Sequence, residues 1–120
     1  MKRILIVDDS AEVREYLSKL LKSIEGIQLA GEAEDYVSAI DNFKKLNPQA
    51  VILDIDLRVE NGIKVLTELK RLSPSTIVIM FTNYTNHILK NLAIKQGADF
   101  FLDKSNDIDK LINILTNLAD

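Results

Sequence analysis

The feature that most constrains the fold of this chain is the alternation of short apolar runs with longer segments of helical periodicity. The apolar runs cover residues 3–8, 27–33, 50–54, 76–82 and 99–102. Runs that are apolar at nearly every position favour strands buried on both faces, and strands that alternate with helices form a parallel sheet covered on both sides. We therefore predict an α/β fold with five strands and five helices, in which the more polar second run is an edge strand.

The segments between the strands carry apolar residues at helical spacing. The residues that share a face in the first, second and fourth helices are Val13, Tyr16, Leu17, Leu20, Leu21 and Ile24; Val37, Ile40, Phe43 and Leu46; and Ile88, Leu89, Leu92, Ala93 and Gln96. Ser10 and Asp35 stand where N-caps are expected, and Gly97 stands where a helix should end. Ile94 falls on the opposite side of the fourth helix, which makes it a candidate partner contact.

Composition narrows the class of protein. A length of 120 residues with 47% hydrophobic and 28% charged residues is typical of one globular domain. A net charge of −3 argues against a general nucleic-acid binder, and the absence of cysteine excludes disulfides and thiol chemistry. No apolar stretch approaches the roughly 20 residues of a membrane span. We expect a cytoplasmic protein with one domain over residues 1–120 and no output domain in this chain.

Polar side chains follow the predicted strands where a site is expected, at their carboxyl ends. Asp8 and Asp9 end the first strand, Asp54 ends the third, Thr82 ends the fourth, and Lys104 follows the fifth. Gathering three carboxylates costs Coulomb repulsion, which a hard cation would relieve. Oxygen ligands without histidine or cysteine nearby favour Mg²⁺ over zinc.

These residues carry a resemblance to a known family along the whole chain. The matching features are Val7-Asp8-Asp9-Ser10, Leu53-Asp54-Ile55-Asp56-Leu57 followed by Gly62, Thr82, and Gly97-Ala98-Asp99 followed by Phe101 and Lys104. In this combination the chain resembles a response-regulator receiver domain of two-component signalling, of the chemotaxis-regulator type. The resemblance implies a flavodoxin-like, doubly wound sheet with strand order 2-1-3-4-5.

The resemblance also implies roles for the site residues. Asp54 would be the phosphoryl acceptor, and Asp9 and Asp54 would ligate Mg²⁺ with the backbone carbonyl of Asp56. Asp8 would act through a metal-bound water. Lys104 and the Thr82 hydroxyl would each contact a phosphoryl oxygen. The chain would not be an enzyme beyond assisting its own aspartyl phosphorylation and dephosphorylation.

Partners and a switch follow from the same resemblance. The phosphoryl group would come from a sensor histidine kinase or a phosphotransfer protein. Thr82 would move toward it, Phe101 would swing inward, and the face of helix four, strand five and helix five would change. That face would signal to a downstream protein or to an output domain removed from the chain, or would form a phosphorylation-dependent homodimer. An ordinary core position is the simpler interpretation of Phe101.

Three residues depart from the usual receiver pattern. Arg58 stands where proline is common, Ser105 replaces the proline that usually follows the lysine, and Asn83 replaces a small residue after Thr82. Arg58 places a cation near the site entrance, although a solvated loop residue is the simpler interpretation. A larger side chain at Asn83, followed by Tyr84, could slow the access of phosphodonor or water.

Two other functions stay open at this point. Asp54-Ile55-Asp56 resembles the Asp-x-Asp motif of aspartyl-nucleophile phosphatases of the haloacid-dehalogenase type, with Lys104 as their lysine, although that motif usually opens the chain. A pseudo-receiver that binds partners without phosphorylation is the other alternative. His87 has no nucleophile or ligand cluster beside it in the sequence, and we assign it no catalytic role.

Overall fold

The computed structural model describes residues 1–119, and its elements alternate as the sequence predicts. The sheet strands are β1 (Lys2–Val7), β2 (Ile27–Ala33), β3 (Ala50–Leu53), β4 (Ile77–Thr82) and β5 (Phe100–Asp103). The helices are α1 (Ala11–Lys22), α2 (Tyr36–Leu46), α3 (Gly62–Leu72), α4 (His87–Lys95) and α5 (Ile108–Ala119). The predicted element ends differ from these by one or two residues. The loop expected after Asp54 also contains a short antiparallel hairpin, Asp56–Leu57 with Glu60–Asn61.

The five strands are parallel and lie in the order β2-β1-β3-β4-β5. This is the flavodoxin-like order that the resemblance implied. Val7 pairs with Leu53, and Thr82 pairs with Asp103, so the strands end at one rim of the sheet. The residues that follow each strand therefore project beyond the same edge.

Alternate residues of each central strand enter two separate cores. Leu5 and Leu53 pack on the side of α2, α3 and α4, whereas Ile6 and Ile52 pack on the side of α1 and α5. Both faces of the sheet are thus covered, which explains why the strand sequences are continuously apolar rather than alternating. Within residues 1–119, no helix has the length and apolar character needed to cross a lipid bilayer.

Four residues that helical spacing predicts on apolar faces are exposed instead. They are Tyr16, Val37, Ile88 and Leu92. The error is largest in α4, where Ile88 is 80% exposed while Ala93 is fully buried. This helix lies against α3 and β5 near the edge of the sheet, so only a narrow stripe through Leu89 and Ala93 reaches the core.

The start of α2 is fixed by the predicted Asp35 cap. The Ser38 backbone N–H donates to Asp35 Oδ1 at 2.9 Å, and the Asp35 backbone N–H donates to Ser38 Oγ at 3.3 Å. This reciprocal pair satisfies two N–H groups that the helix itself leaves unpaired. The hydrogen bonds from the Ser38 side chain and backbone lower the pKa of the Asp35 carboxyl.

Replacing the cap should destabilise the protein. We expect Asp35→Ala to lower the free energy of unfolding by about 1 kcal/mol, the usual cost of an N-cap. Because the pKa of Asp35 is lowered below its ordinary 3.8, this contribution is present above pH 3.8 and is lost as the pH falls through the lowered value. Urea denaturation at pH 7 measures the change. Asp41→Ala, which removes a carboxylate from an exposed position within the same helix, is the control and should have little effect.

Candidate functional site

The rim at the carboxyl ends of the strands brings together the polar residues predicted there. Asp8 and Asp9 follow β1, Asp54 follows β3, Thr82 is the last residue of β4, and Lys104 follows β5. Backbone hydrogen bonds lock these ends together. The Asp54 N–H donates to the Val7 carbonyl at 3.0 Å, and the Lys104 N–H donates to the Thr82 carbonyl at 3.0 Å.

The Lys104 ammonium joins two of the carboxylates. Its Nζ lies 2.6 Å from Asp8 Oδ2 and 2.8 Å from Asp54 Oδ2. Asp8 is 2% exposed and Asp54 5% exposed, so these charges are largely removed from water. Buried carboxylates need such compensation, since an unpaired charge in this environment is costly.

Burial and pairing act in opposite directions on these groups. Burial raises the pKa of the Asp8 carboxyl, although hydrogen bonds from Lys104 and the Ser10 N–H oppose the rise. Burial alone would lower the pKa of Lys104, but its hydrogen bonds to Asp54 and Asp8 and their negative charges outweigh it and raise that pKa. Lys104 is therefore charged at neutral pH.

Asp9 completes a group of three carboxylates. Asp8, Asp9 and Asp54 each offer one oxygen, and these oxygens lie within 4.8 Å of one another. The donor set contains oxygen alone, which suits a hard divalent cation such as Mg²⁺. The side chains present thus fit a metal of this kind.

The Asp56 carboxylate is not a member of this group. Its Oδ1 accepts the Arg58 backbone N–H at 3.1 Å, and the Tyr84 hydroxyl donates to its Oδ2 at 3.4 Å. A role for Asp56 through its backbone carbonyl stays a prediction. Thr82 is fully buried, and its hydroxyl oxygen accepts the Tyr84 N–H at 3.1 Å.

Gly62 has a steric role that explains its place in the motif. A Cβ at this position would lie 1.9 Å from the Asp54 carbonyl oxygen. The Gly62 N–H also donates to the Ile55 carbonyl at 2.6 Å. The first residue of α3 therefore packs directly on the backbone that carries Asp54, and only glycine leaves room for that approach.

The three departures from the receiver pattern occupy the mouth of the site. Arg58 Nε lies 3.3 Å from Asp9 Oδ2. The Ser105 hydroxyl donates to Asn83 Oδ1 at 3.4 Å, which links the loops after β4 and β5. The larger residue after Thr82 thus contacts a neighbouring loop, and its effect on access to Asp54 stays a prediction.

The residues predicted to change with signalling are located as follows. Phe101 is half-buried and packs against the core on the α4 side of the sheet, while Phe100 is exposed. Ile94 is 48% exposed, as expected for a residue opposite the buried stripe of α4. His87 is exposed at the start of α4.

Sequence reasoning missed one residue that supports the site. Arg14 of α1 donates to the Asp8 carbonyl oxygen at 2.6 Å and pairs with Glu32 at 3.2 Å. Its side chain is only 17% exposed. Nothing in the spacing of the sequence distinguishes Arg14 from the other charged residues of α1, because the contact depends on how α1 lies over β2.

Known proteins resemble this chain over nearly its whole length. The family model of the response regulator receiver domain matches residues 4–116. Protein CcdB of Bacillus subtilis is 35% identical over 118 residues, covering 98% of each chain. The chemotaxis protein CheY of Halobacterium salinarum is 31% identical, covering 96% of this chain and 98% of the relative.

A solved structure of a chemotaxis protein also has the same fold as this chain. The CheX–CheY–BeF3–Mg²⁺ complex from Borrelia burgdorferi matches with a TM-score of 0.87 and 27% identity, over 98% of this chain and 88% of the other. The chain therefore belongs to the response regulator receiver domain family. The family match decides against the haloacid-dehalogenase interpretation of Asp54-Ile55-Asp56.

Removing the Lys104 charge should destabilise the site. We expect Lys104→Met to lower the free energy of unfolding at pH 7 by about 3 kcal/mol, because Asp8 and Asp54 would stay buried without their cation. Since the pKa of Lys104 is raised above its ordinary 10.5, this stabilisation is fully present below pH 10.5 and is lost as the pH rises through the raised value. Urea denaturation without divalent cations measures the loss.

Lys110→Met is the matched control for that measurement. Lys110 pairs with Asp107 at 3.5 Å, but its side chain is 71% exposed. An exposed pair contributes at most about 1 kcal/mol. Equal stability of the two variants would contradict the importance of the Lys104 pairs.

Proposed function

We propose that this chain is a phosphorylation-dependent signalling receiver that accepts a phosphoryl group on Asp54 with the help of Mg²⁺. The observation that carries the proposal is the position of the Asp54 carboxylate. It is nearly buried, its Oδ2 is 2.8 Å from the Lys104 ammonium, and it lies in a cluster with Asp8 and Asp9. A carboxylate is a competent nucleophile toward phosphorus when nearby cations neutralise the repulsion.

The residues that would hold the metal are Asp8, Asp9 and Asp54, together with the backbone carbonyl of Asp56. Asp9 and Asp54 would bind it directly, and Asp8 would act through a bound water. Bound there, Mg²⁺ supplies positive charge that reduces the repulsion between the carboxylate and the phosphoryl oxygens. The Borrelia burgdorferi complex, which contains Mg²⁺, supports this choice of metal.

The chain's own residues would position the transferred group. One Asp54 carboxylate oxygen forms the new bond to phosphorus as the bond between phosphorus and the donor breaks, and the donor leaves with that electron pair. Lys104 would shift one of its contacts from the carboxylates to a phosphoryl oxygen. The buried Thr82 hydroxyl, whose oxygen already accepts the Tyr84 N–H, would donate a hydrogen bond to another phosphoryl oxygen.

The added negative charge would then change the shape of a partner-binding surface. Phosphorylation adds about −1.5 to −2 charge, which favours the state in which Thr82 lies toward the phosphoryl group and Phe101 lies inward. The surface that would change consists of α4, β5 and α5. Its helix α4 exposes the apolar side chains of Ile88, Leu92 and Ile94, which a protein partner would cover.

The partners follow from this chemistry. A sensor histidine kinase or a phosphotransfer protein would supply the phosphoryl group. A downstream protein, a linked output domain or a second phosphorylated copy would bind the changed surface. The activity of the chain would be limited to its own phosphorylation and dephosphorylation. A phosphorylation-independent binding module is the alternative that the following experiment separates.

Phosphorylation can be tested by intact-mass spectrometry. Incubation with Mg²⁺ and acetyl phosphate should add a single phosphoryl group to the wild-type chain. Omitting Mg²⁺ or introducing Asp54→Asn should abolish the addition. Asp56→Asn should retain it, because this change keeps the backbone carbonyl and an acceptor oxygen for the Arg58 N–H.

The outcomes of that test separate the functions. Failure of the wild-type chain to gain a phosphoryl group from acetyl phosphate and from a kinase donor, with Mg²⁺ shown to bind, would replace the proposal with the binding-module alternative. Repeated turnover of a phosphomonoester, rather than stoichiometric self-modification, would favour a phosphatase.

Metal binding should be visible in stability. A ligand that binds only the folded state at a concentration of about 100 times its Kd stabilises it by about 2.7 kcal/mol. Saturating MgCl2 should therefore raise the Tm of the wild-type chain by several degrees. Asp9→Asn should lose most of this rise because it replaces a direct ligand.

Asp41→Asn provides the control for the metal test, since it makes the same change on the exposed surface of α2. It should keep the full Mg²⁺-dependent rise in Tm. An equal rise in Asp9→Asn and Asp41→Asn would show that the cation acts elsewhere.

A further inference from the structure

Arg58 makes a specific contact with the candidate metal site although it lies on the surface. Its side chain is 77% exposed, yet its Nε lies 3.3 Å from Oδ2 of Asp9, which is 22% exposed. Long arginine side chains on a loop are usually solvated. Here the guanidinium rests on one of the carboxylates that would bind the cation.

The backbone of the loop holds Arg58 in place. Its φ of 64° lies in the left-handed region, which is uncommon for a residue other than glycine, asparagine or aspartate. The Arg58 N–H donates to Asp56 Oδ1, and the hairpin of Asp56–Leu57 with Glu60–Asn61 closes the turn. The backbone from which the Arg58 side chain reaches Asp9 is thus part of a hydrogen-bonded turn.

The three carboxylates of the site are paired with two different cations. Lys104 contacts Asp8 and Asp54, both buried. Asp9 is outside that network, and within residues 1–119 Arg58 is its ion-pair partner. The two cations together neutralise most of the charge of the three carboxylates. Lys104 is enclosed, whereas Arg58 is exposed and can leave without a buried charge losing its partner.

We propose that Arg58 is a built-in competitor for the divalent cation at Asp9 and lowers the affinity of this chain for Mg²⁺. This inference rests on the proposed metal site. A cation that binds Asp9 must displace or repel the guanidinium, so metal binding releases Arg58 from the carboxylate. The chain would then need a higher Mg²⁺ concentration to become competent for phosphorylation than it would without Arg58.

The size of the effect follows from the exposure of the pair. A solvent-exposed ion pair is weak and is screened by salt, so the competition changes the affinity by a modest factor. Removing the guanidinium frees Asp9 from its ion pair and also removes the repulsion between guanidinium and metal. Both changes strengthen Mg²⁺ binding. We expect Arg58→Gln to lower the Kd for Mg²⁺ by about three- to tenfold.

Isothermal titration of the unphosphorylated chain with MgCl2 tests the proposal directly. Arg58→Lys keeps the positive charge and should stay within about twofold of the wild-type Kd. Lys64→Gln removes a cation from α3 that pairs with Glu60 at 3.9 Å, and it should leave the Kd unchanged. The gain in Arg58→Gln should shrink as NaCl rises from about 0.05 to about 1 M, because the Debye length falls from more than 10 Å to about 3 Å.

Each other result would overturn the proposal in a recognisable way. Weaker binding in Arg58→Gln would mean that the guanidinium orients Asp9 for the metal. An unchanged Kd, or an equal gain in Lys64→Gln, would mean that Arg58 is a solvated loop residue or acts only through net charge. Absence of Mg²⁺ binding in both the wild-type chain and Arg58→Gln would remove the metal site itself, and with it the proposed function.

Discussion

The contact of the Lys104 ammonium with Asp8 and Asp54 is the interaction on which the site depends. Two nearly buried carboxylates can coexist there only because one cation touches both. The strand order explains why this cation is a lysine. β4 lies between β5 and β3, so a residue that follows β5 must extend across the end of β4 to reach Asp54. The long, flexible side chain of lysine makes that possible. The Lys104 backbone is anchored by the hydrogen bond from its N–H to the Thr82 carbonyl.

The third carboxylate is neutralised in a different way. Lys104 is enclosed, whereas the guanidinium at Asp9 is exposed and exchangeable. The Lys104 contacts therefore hold Asp8 and Asp54 in an enclosed part of the rim, while the charge balance at Asp9 responds to the ions in solution. Pairing with the two cations reduces the repulsion among the three carboxylates in the folded chain, and it leaves Asp9 accessible to a ligand.

The fold was predictable because it depends on patterns that are local in the sequence. Continuous apolar strands and the polar residues after them predicted a parallel sheet covered by helices and the convergence of Asp8, Asp9, Asp54, Thr82 and Lys104. The strand order was implied by the resemblance to receiver domains. Contacts that depend on how one element lies over another were not predictable. Periodicity placed Ile88 with the apolar face of α4, but the burial of a face depends on how much of the sheet lies beneath it. The contacts of Arg14 arise in the same way, whereas the place of Arg58 near the site entrance was predicted and only its pairing with Asp9 was not.

Because α4 buries so little of its surface against the sheet, its local stability should be low. α4 has one buried residue, Ala93, whereas α3 has five. Opening α4 from the sheet therefore exposes little apolar surface, and its amides should exchange with solvent hydrogen sooner than those of α3. The helix that lies against the strand of Phe101 is thus the one with the fewest buried residues to displace. A change of a few kcal/mol in the electrostatic free energy at the rim is large enough to shift the populations of two positions of α4.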